Sequence, residues 1–370
     1  NGRPVDQVSL TKMERAMTLG AMPPTDFCIM HWGAAISDKE KKRVAHWAYD
    51  HRIKHYYNGL ACEQHQNEPI QPIPDSIEIN YRKAALGNLL YHDTRLSIDN
   101  TLSCADCHAL NTAGVDNQDF SDGVNGHIGT ANAPTVFNSV FNFVQFWDGR
   151  ALTLAEQAVA PPINPIEMGS TDWNMIVNKL KKDKALATMF TEVYPEGFSE
   201  STITDAIGEF EKSLITPNSH FDRYLKGDQN AISQFELEGY QLFKDNECVS
   251  CHVGVNVGGL SYEKLGLTRN YFTDRGTKIM EDDLGRFKQT KHERDRHRFK
   301  VPGLRNVVLT YPYFHDGKMI TLEDAIDHMA KYQINKDLSK EEISKIKAFL
   351  NTLTGEYNGK LLENDSLKKQ

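Results

Sequence analysis

The chain has 370 residues, of which 39% are hydrophobic and 25% charged, with a formal net charge of −8. That length suggests two or three domains with real cores, and the acidic balance argues against nucleic acid as a partner. No run of about 18 apolar residues marks a membrane span.

Residues 1–80 read as a small N-terminal helical segment. Met13 to Met17 looks helical, and Gly20 and Pro23-Pro24 end that helix. Ser37-Asp38-Lys39-Glu40 is a capping box. It opens a second helix carrying Val44, Trp47 and Ala48 on one face. The stretch from Gln64 to Asp75 is polar, contains Pro69, Pro72 and Pro74, and is expected to be a linker. Cys28 and Cys62 could pair as a disulfide, lie buried as free thiols, or do neither.

A first domain is expected over 81–218. Leu86, Leu89 and Leu90 recur at helical spacing, and their helix ends near His92-Asp93. Cys104-Ala105-Asp106-Cys107-His108 follows. Two cysteines, two spacers and a histidine form the attachment signature of c-type haem. The thiols add to the porphyrin vinyl groups, and the histidine lands beneath the iron as its proximal ligand. A zinc half-site is the competing reading, but no further cysteine pair completes it. A glycine-rich polar loop from Thr112 to Thr130 holds Gly126-His127. Asn132-Ala133-Pro134-Thr135 comes next, then an apolar stretch ending in Phe146-Trp147-Asp148-Gly149-Arg150.

A second domain is expected over 219–370. Phe235, Leu237, Tyr240, Leu242 and Phe243 form an amphipathic helix leading into Cys248-Val249-Ser250-Cys251-His252, a second haem signature. Arg286 to Lys300 is rich in Arg, Lys and His. It is either a solvated loop or a source of arginine for haem propionates. A capping box from Ser339 to Glu342 opens a closing helix, and the polar tail after Gly355 is expected to be loose. Two covalently bound haems c follow. Covalent haem is normally attached outside the cytoplasm, so the expected location is the periplasm.

The halves repeat. Phe146 to Leu154 aligns with Phe314 to Leu322, an offset of 168 residues (146 to 314). In each copy a threonine, Thr153 or Thr321, opens a helix with an acid three residues on. A duplicated cytochrome c fold is the simplest explanation. The expected architecture is mainly α: two tandem cytochrome c-like haem domains with few short strands, behind the N-terminal segment. The copies differ on the distal side. The second helix reaches Met329, a soft thioether, and His/Met ligation raises the potential of haem iron. The matching residue in the first copy is Pro161, which cannot bind iron. One haem is then six-coordinate and electron-storing, while the other keeps an open position for a small molecule.

Pro165-Ile166-Glu167-Met168 brings a carboxylate near that open position. Glu167 could take a proton from one oxygen of hydrogen peroxide and return it to the other. A surface acid is the ordinary alternative. Gln157 could hydrogen-bond the same oxygens, although a helix glutamine is more often exposed. His127, flanked by glycines, reads as a detachable distal ligand of the first haem or as a loop histidine in solvent.

The phrases Gly126-His127, Asn132 to Val136, Asn138 to Asn142, Gln145 to Arg150 and Ile166-Glu167-Met168 closely resemble the bacterial di-haem cytochrome c peroxidase family. So do Cys248 to His252 with Gly254-Val255-Asn256, Leu304-Arg305-Asn306 and Pro312 to His315. The resemblance runs from about Leu86 to Gly355. It implies that Cys104, Cys107 and His108 hold a low-potential peroxidatic haem, with His127 its displaceable ligand and Glu167 its acid–base. Cys248, Cys251, His252 and Met329 would bind a high-potential electron-transfer haem, with Trp147 as relay between the two. A calcium ion between the domains would be bound at Asn132, Thr310 and Pro312, oxygen donors that suit a hard cation. Hydrogen peroxide is the implied substrate. The donor is a small cytochrome c, a cupredoxin or a quinol, and a homodimer is left open.

Met22 to Phe27 with His31-Trp32 resembles the end of a haem-binding domain fused ahead of certain peroxidases. The CxxCH of that domain would lie upstream, and the sequence has none before Cys104. A third haem, or a membrane tether, is expected only through a segment preceding Asn1. Met22 is then the candidate distal ligand, against simple packing beside the prolines. Two departures stand out: the loop from His127 to Asn132 is shorter than in some relatives, and the N-terminal segment lies outside the two-haem core. Three other readings compete. One is a quinol-linked multihaem peroxidase. Another is a di-haem oxidase that builds a tryptophan-derived quinone in a partner, which has tyrosine in place of Met329. The last is a non-catalytic electron carrier, which requires protein ligands on both irons.

Overall fold

Helix caps and two helix crossings organise the chain. The structure is a computed structural model and describes residues 4–24, 28, 30–31 and 34–367. Thr25 to Phe27 and Trp32 of the N-terminal phrase lie outside the described residues. Helix α1 spans Gln7–Thr18, starting six residues before Met13, because the Asp6 carboxylate accepts the Ser9 amide at 2.8 Å. Helix α2, Asp38–Tyr56, opens at Ser37 with both halves of the expected capping box. Ala48 is buried, but Trp47 is 41% exposed, so the expected apolar face is narrower than the spacing implied.

The first copy contains α3 (Tyr81–Tyr91), α4 (Leu154–Ile163), α5 (Trp173–Leu180), α6 (Lys184–Val193) and α7 (Glu200–Lys212). Asn80 caps α3 by accepting the Arg82 and Lys83 amides, and His92 closes it. Leu86 and Leu90 enter the core with Ile176, Phe190, Ile203 and Ile207. Leu89 points outward instead, because the core meets one side of this helix. The second copy contains α8 (Gln234–Asp245), α9 (Leu322–Ile334) and α10 (Lys340–Asn351) around Tyr240, Phe243, Ile326, Phe349 and Leu350. Thr153 and Thr321 cap α4 and α9 alike, each accepting an amide at 3.1 Å.

The copies share one construction. α3 crosses α7 at Gly87, where a Cβ would lie 1.9 Å from the Ala206 carbonyl oxygen. α8 crosses α10 at Gly239, where a Cβ would lie 1.9 Å from the Lys345 carbonyl oxygen. Only glycine permits either approach. Strands are few and short: β1 (Tyr262–Lys264) pairs antiparallel with β2 (Arg298–Lys300), and β3 (Glu356–Tyr357) with β4 (Lys360–Leu361).

Two loose-reading segments are anchored. Within 64–75, Ile70 and Ile73 are fully buried and Gln71 donates its amide to the Gly254 carbonyl, so the stretch lines the second copy rather than swinging free. The tail after Gly355 returns to the first copy. Leu362 packs with Tyr91, Phe137 and Phe210, and Asn364 donates to Asn117 and to the Leu309 carbonyl. α1 rests on the second copy through Arg15, which donates to the Glu247 carboxylate at 2.7 and 2.9 Å.

Candidate active site

Each haem motif forms a short helical turn that presents its side chains to a cavity. Cys104–Cys107 is opened by Ser103, whose amide and hydroxyl both donate to Asp106. His108 follows with Nδ1 3.3 Å from the Gly114 carbonyl, and the Tyr91 hydroxyl donates to its backbone carbonyl at 2.6 Å. A carbonyl at Nδ1 assigns the proton there and leaves the Nε2 lone pair for a metal. Burial pushes the His108 pKa down, which keeps the imidazole neutral. The second motif repeats this: His252 Nδ1 lies 3.2 Å from the Val257 carbonyl, and burial pushes its pKa down to about 4. Cys28 and Cys62 form no disulfide, so that alternative is not realised.

The first cavity encloses about 330 Å³ and is lined by Cys104, Cys107, His108, Gln157, Pro161 and Glu167. The second encloses about 690 Å³ and is lined by Cys248, Cys251, His252, Lys300, Trp147 and Met329. His328, beside Met329, instead bonds the Asp324 carbonyl one turn back and stacks on Tyr332. Both cavities therefore pair two thiols and a neutral imidazole with apolar walls, as c-type haem requires. A further feature of the second cavity suits the anionic propionates of haem. Lys300 is 5% exposed and has no ion pair among the described residues; burial alone pushes its pKa down to about 8. In the basic stretch 286–300 it is this lysine, and not an arginine, that lines the cavity. Arg286 is committed to the carbonyls of Asp148 and Gly149.

Glu167 accepts a 2.7 Å hydrogen bond from the Asn164 side chain, and its backbone carbonyl accepts the Val124 amide. Burial raises its pKa, opposed in part by the Arg150 charge and by the Asn164 bond. Asn164 and Arg150 were not singled out by sequence reasoning. The Asn-Pro pair at 164–165 was the available signal, since such a pair starts a turn. Arg150 lies over the Phe146 ring at 3.4 Å and bonds Asp148 at 3.1 Å.

His127 is not brought to this group. It sits exposed on a tight turn, with its amide bonded to Val124 and its carbonyl to Gly123; Gly123 lines the cavity, but His127 does not. Met22 is 40% exposed. Asn132, Thr310 and Pro312 all line the second cavity. Asn132 donates its side-chain amide to the Gln118 carbonyl, and its own carbonyl accepts the Trp147 indole N–H at 2.9 Å. Trp147 itself lines both cavities.

Comparison with known proteins decides the family. Over 96% of its length the chain is 52% identical to cytochrome c peroxidase Ccp of Escherichia coli (strain K12), covering 76% of that protein. The chain belongs to the bacterial di-haem cytochrome c peroxidase family. It is 48% identical to the cytochrome c551 peroxidase of Nitrosomonas europaea, over 78% of this chain and 85% of that one. The di-haem cytochrome c peroxidase model matches residues 81–230, a cytochrome c model 237–354 and a haem-binding domain model 2–50. A crystal structure of a MauG-like protein associated with microbial copper homeostasis superposes with a TM-score of 0.68 at 28% identity, covering 77% of this chain and 93% of the other. As a member of this peroxidase family, the chain is an oxidoreductase acting on peroxide and uses haem c.

Proposed function

We propose that hydrogen peroxide is reduced in the first cavity and that electrons enter through the second. The supporting observation is the difference between equivalent positions: Pro161 lines the first cavity beside Glu167, while Met329 lines the second. When bound, the two haems supply the metal site for peroxide and the electrons that reduce it. His108 and His252 hold them from the proximal side. Glu167 takes a proton from one peroxide oxygen and gives it to the departing one. Burial raises its pKa above that of an ordinary carboxyl, which suits a group that must give back the proton it takes, and Asn164 holds the carboxyl in place. Gln157 orients the same oxygens, and Trp147 relays electrons through the wall the cavities share. His127 serves as a ligand only in a state where its turn has moved inward.

The finer assignments extend this reading. Residues 81–218 form the peroxidatic domain, 219–370 the electron-transfer domain and 1–80 the extension. Calcium at Asn132, Thr310 and Pro312 would tie the two haem domains together through neutral oxygen donors. The donor is a small electron-transfer protein or a quinol. It meets the second cavity beside α1, whose Lys12 and Ala16 line that cavity together with Leu19. The location is the periplasm, and no described helix is long and apolar enough to cross a membrane. The test is Glu167→Gln: both haems should remain attached while peroxide turnover is largely lost. Unchanged turnover would remove Glu167 from the mechanism.

A further inference from the structure

One acid in the wall of the first cavity is used by none of these steps. Glu211, on α7, is 5% exposed, and its Oε2 is buried without a hydrogen-bond partner. A buried neutral carboxyl lacking a partner costs about 1–3 kcal/mol, and a buried ionised one costs several.

The repeat shows what the site could have held. Gly87 meets Ala206 in the first copy, and Gly239 meets Lys345 in the second. Five residues beyond each crossing stand Glu211 and Leu350, and both line their cavities. The second copy fills the position with a leucine in its apolar core. The first keeps a carboxyl there, beside Cys104.

We propose that Glu211 is a proton store coupled to the haem of the first cavity. Its carboxylate takes one proton from solvent when that haem gains one electron from the donor, and gives the proton back when the electron leaves. An added electron makes a nearby buried carboxylate harder to keep ionised, so uptake of the proton holds the net charge of the cavity constant. Burial by itself already pushes the Glu211 pKa up to about 8, where such coupling operates at working pH.

The surrounding groups do not supply this charge. Tyr91 of α3 senses Glu211, and burial raises its pKa; the sulfur of Cys104 also lies near Glu211 but has no proton to exchange once joined to haem. Lys83 of α3 is paired with Asp205, and Lys212 of α7 with Glu209. Glu156 of α4 is turned to the Leu152 amide, and Lys179 of α5 to the carbonyls of Arg95 and Ile98.

The proposal rests on haem occupying the first cavity, so attachment at Cys104 and Cys107 is checked first by mass. A spectroscopic redox titration then follows the first haem from about pH 6 to 10 in the holoenzyme, in E211Q and in E211L. In the wild type the midpoint should fall with rising pH at one proton per electron across part of this range. Both variants should lose that slope, match the wild type at the acid end and lie above it at the alkaline end. Equal slopes in all three haem-loaded proteins would assign the proton to another group and overturn the proposal. A chain without haem at Cys104 and Cys107 would overturn the haem reading itself. If E211L fails to fold, the near-isosteric E211Q decides the matter alone.

Discussion

Trp147 and His315 occupy equivalent places in the two copies and face each other across the interface, ring centroids 6.3 Å apart and planes at 70°. The backbone around them is reciprocal. The Asn132 amide donates to the His315 carbonyl at 2.8 Å, and the Lys300 amide, its counterpart, donates to the Trp147 carbonyl at 2.8 Å. Both aromatic residues line both cavities. This local two-fold arrangement places an indole and an imidazole in the wall that the two cavities share.

Trp147→Phe keeps a ring in that wall but removes the indole N–H bonded to the Asn132 carbonyl. The lost hydrogen bond should cost about 0.5–1.5 kcal/mol of stability. Electron transfer from the second haem to the first should slow while haem content and potentials stay in place. Stopped-flow absorbance after mixing the half-reduced enzyme with peroxide reads this rate, and an unchanged rate would exclude the indole as relay.

Glu167→Gln should lower peroxide turnover by roughly 10²–10⁴-fold, the usual contribution of a positioned acid–base group. Glu167 acts first as a base, so kcat/KM should rise with pH as it ionises. Burial places that rise above the ordinary carboxyl range. Asn164→Ala removes a bond that favours the carboxylate, and should move the rise to still higher pH. A pH profile that is the same in Asn164→Ala and wild type would detach the profile from Glu167.

Met329→His should lower the potential of the second haem by a few tenths of a volt, within the span of about 0.8 V that axial ligands cover. The first haem should keep its own potential. Redox titration of the variant separates the two, and a second haem that stays at its wild-type potential would place the ligand elsewhere.

Gly87→Ala and Gly239→Ala should each destabilise the copy that carries the change, by about 1–3 kcal/mol or more, since a backbone carbonyl occupies the space. Chemical unfolding followed at the two haems should show the loss in the first copy for one variant and in the second for the other.

Short-range chemistry was legible in the sequence. The haem motifs, the boxes at Ser37 and Ser339 and the matched caps Thr153 and Thr321 depend on residues within a few positions of one another. The repeat carried that reading to the contrast of Pro161 with Met329. What remained hidden depends on contacts between distant segments. Glu211 reads as an ordinary helix glutamate until α7 is packed against the cavity. His315 gains its place only when the two copies meet. The polar tail looks free because its partners, Asn117 and the Asn111 and Leu309 carbonyls, lie far away in the chain. His127 shows the converse: its glycine-flanked setting reads as a ligand loop, while backbone bonds to Gly123 and Val124 hold its turn at the surface.

On the proposed reading the two cavities, built alike, differ in whether the chain closes the distal side. That difference is tested most directly by adding cyanide to the half-reduced holoenzyme and recording electron paramagnetic resonance and absorbance spectra. Cyanide should bind the ferric haem held by Cys104, Cys107 and His108, while the reduced haem beside Met329 should keep its thioether-ligated spectrum. Failure of cyanide to bind the first haem, or displacement of Met329 at the second, would contradict that reading.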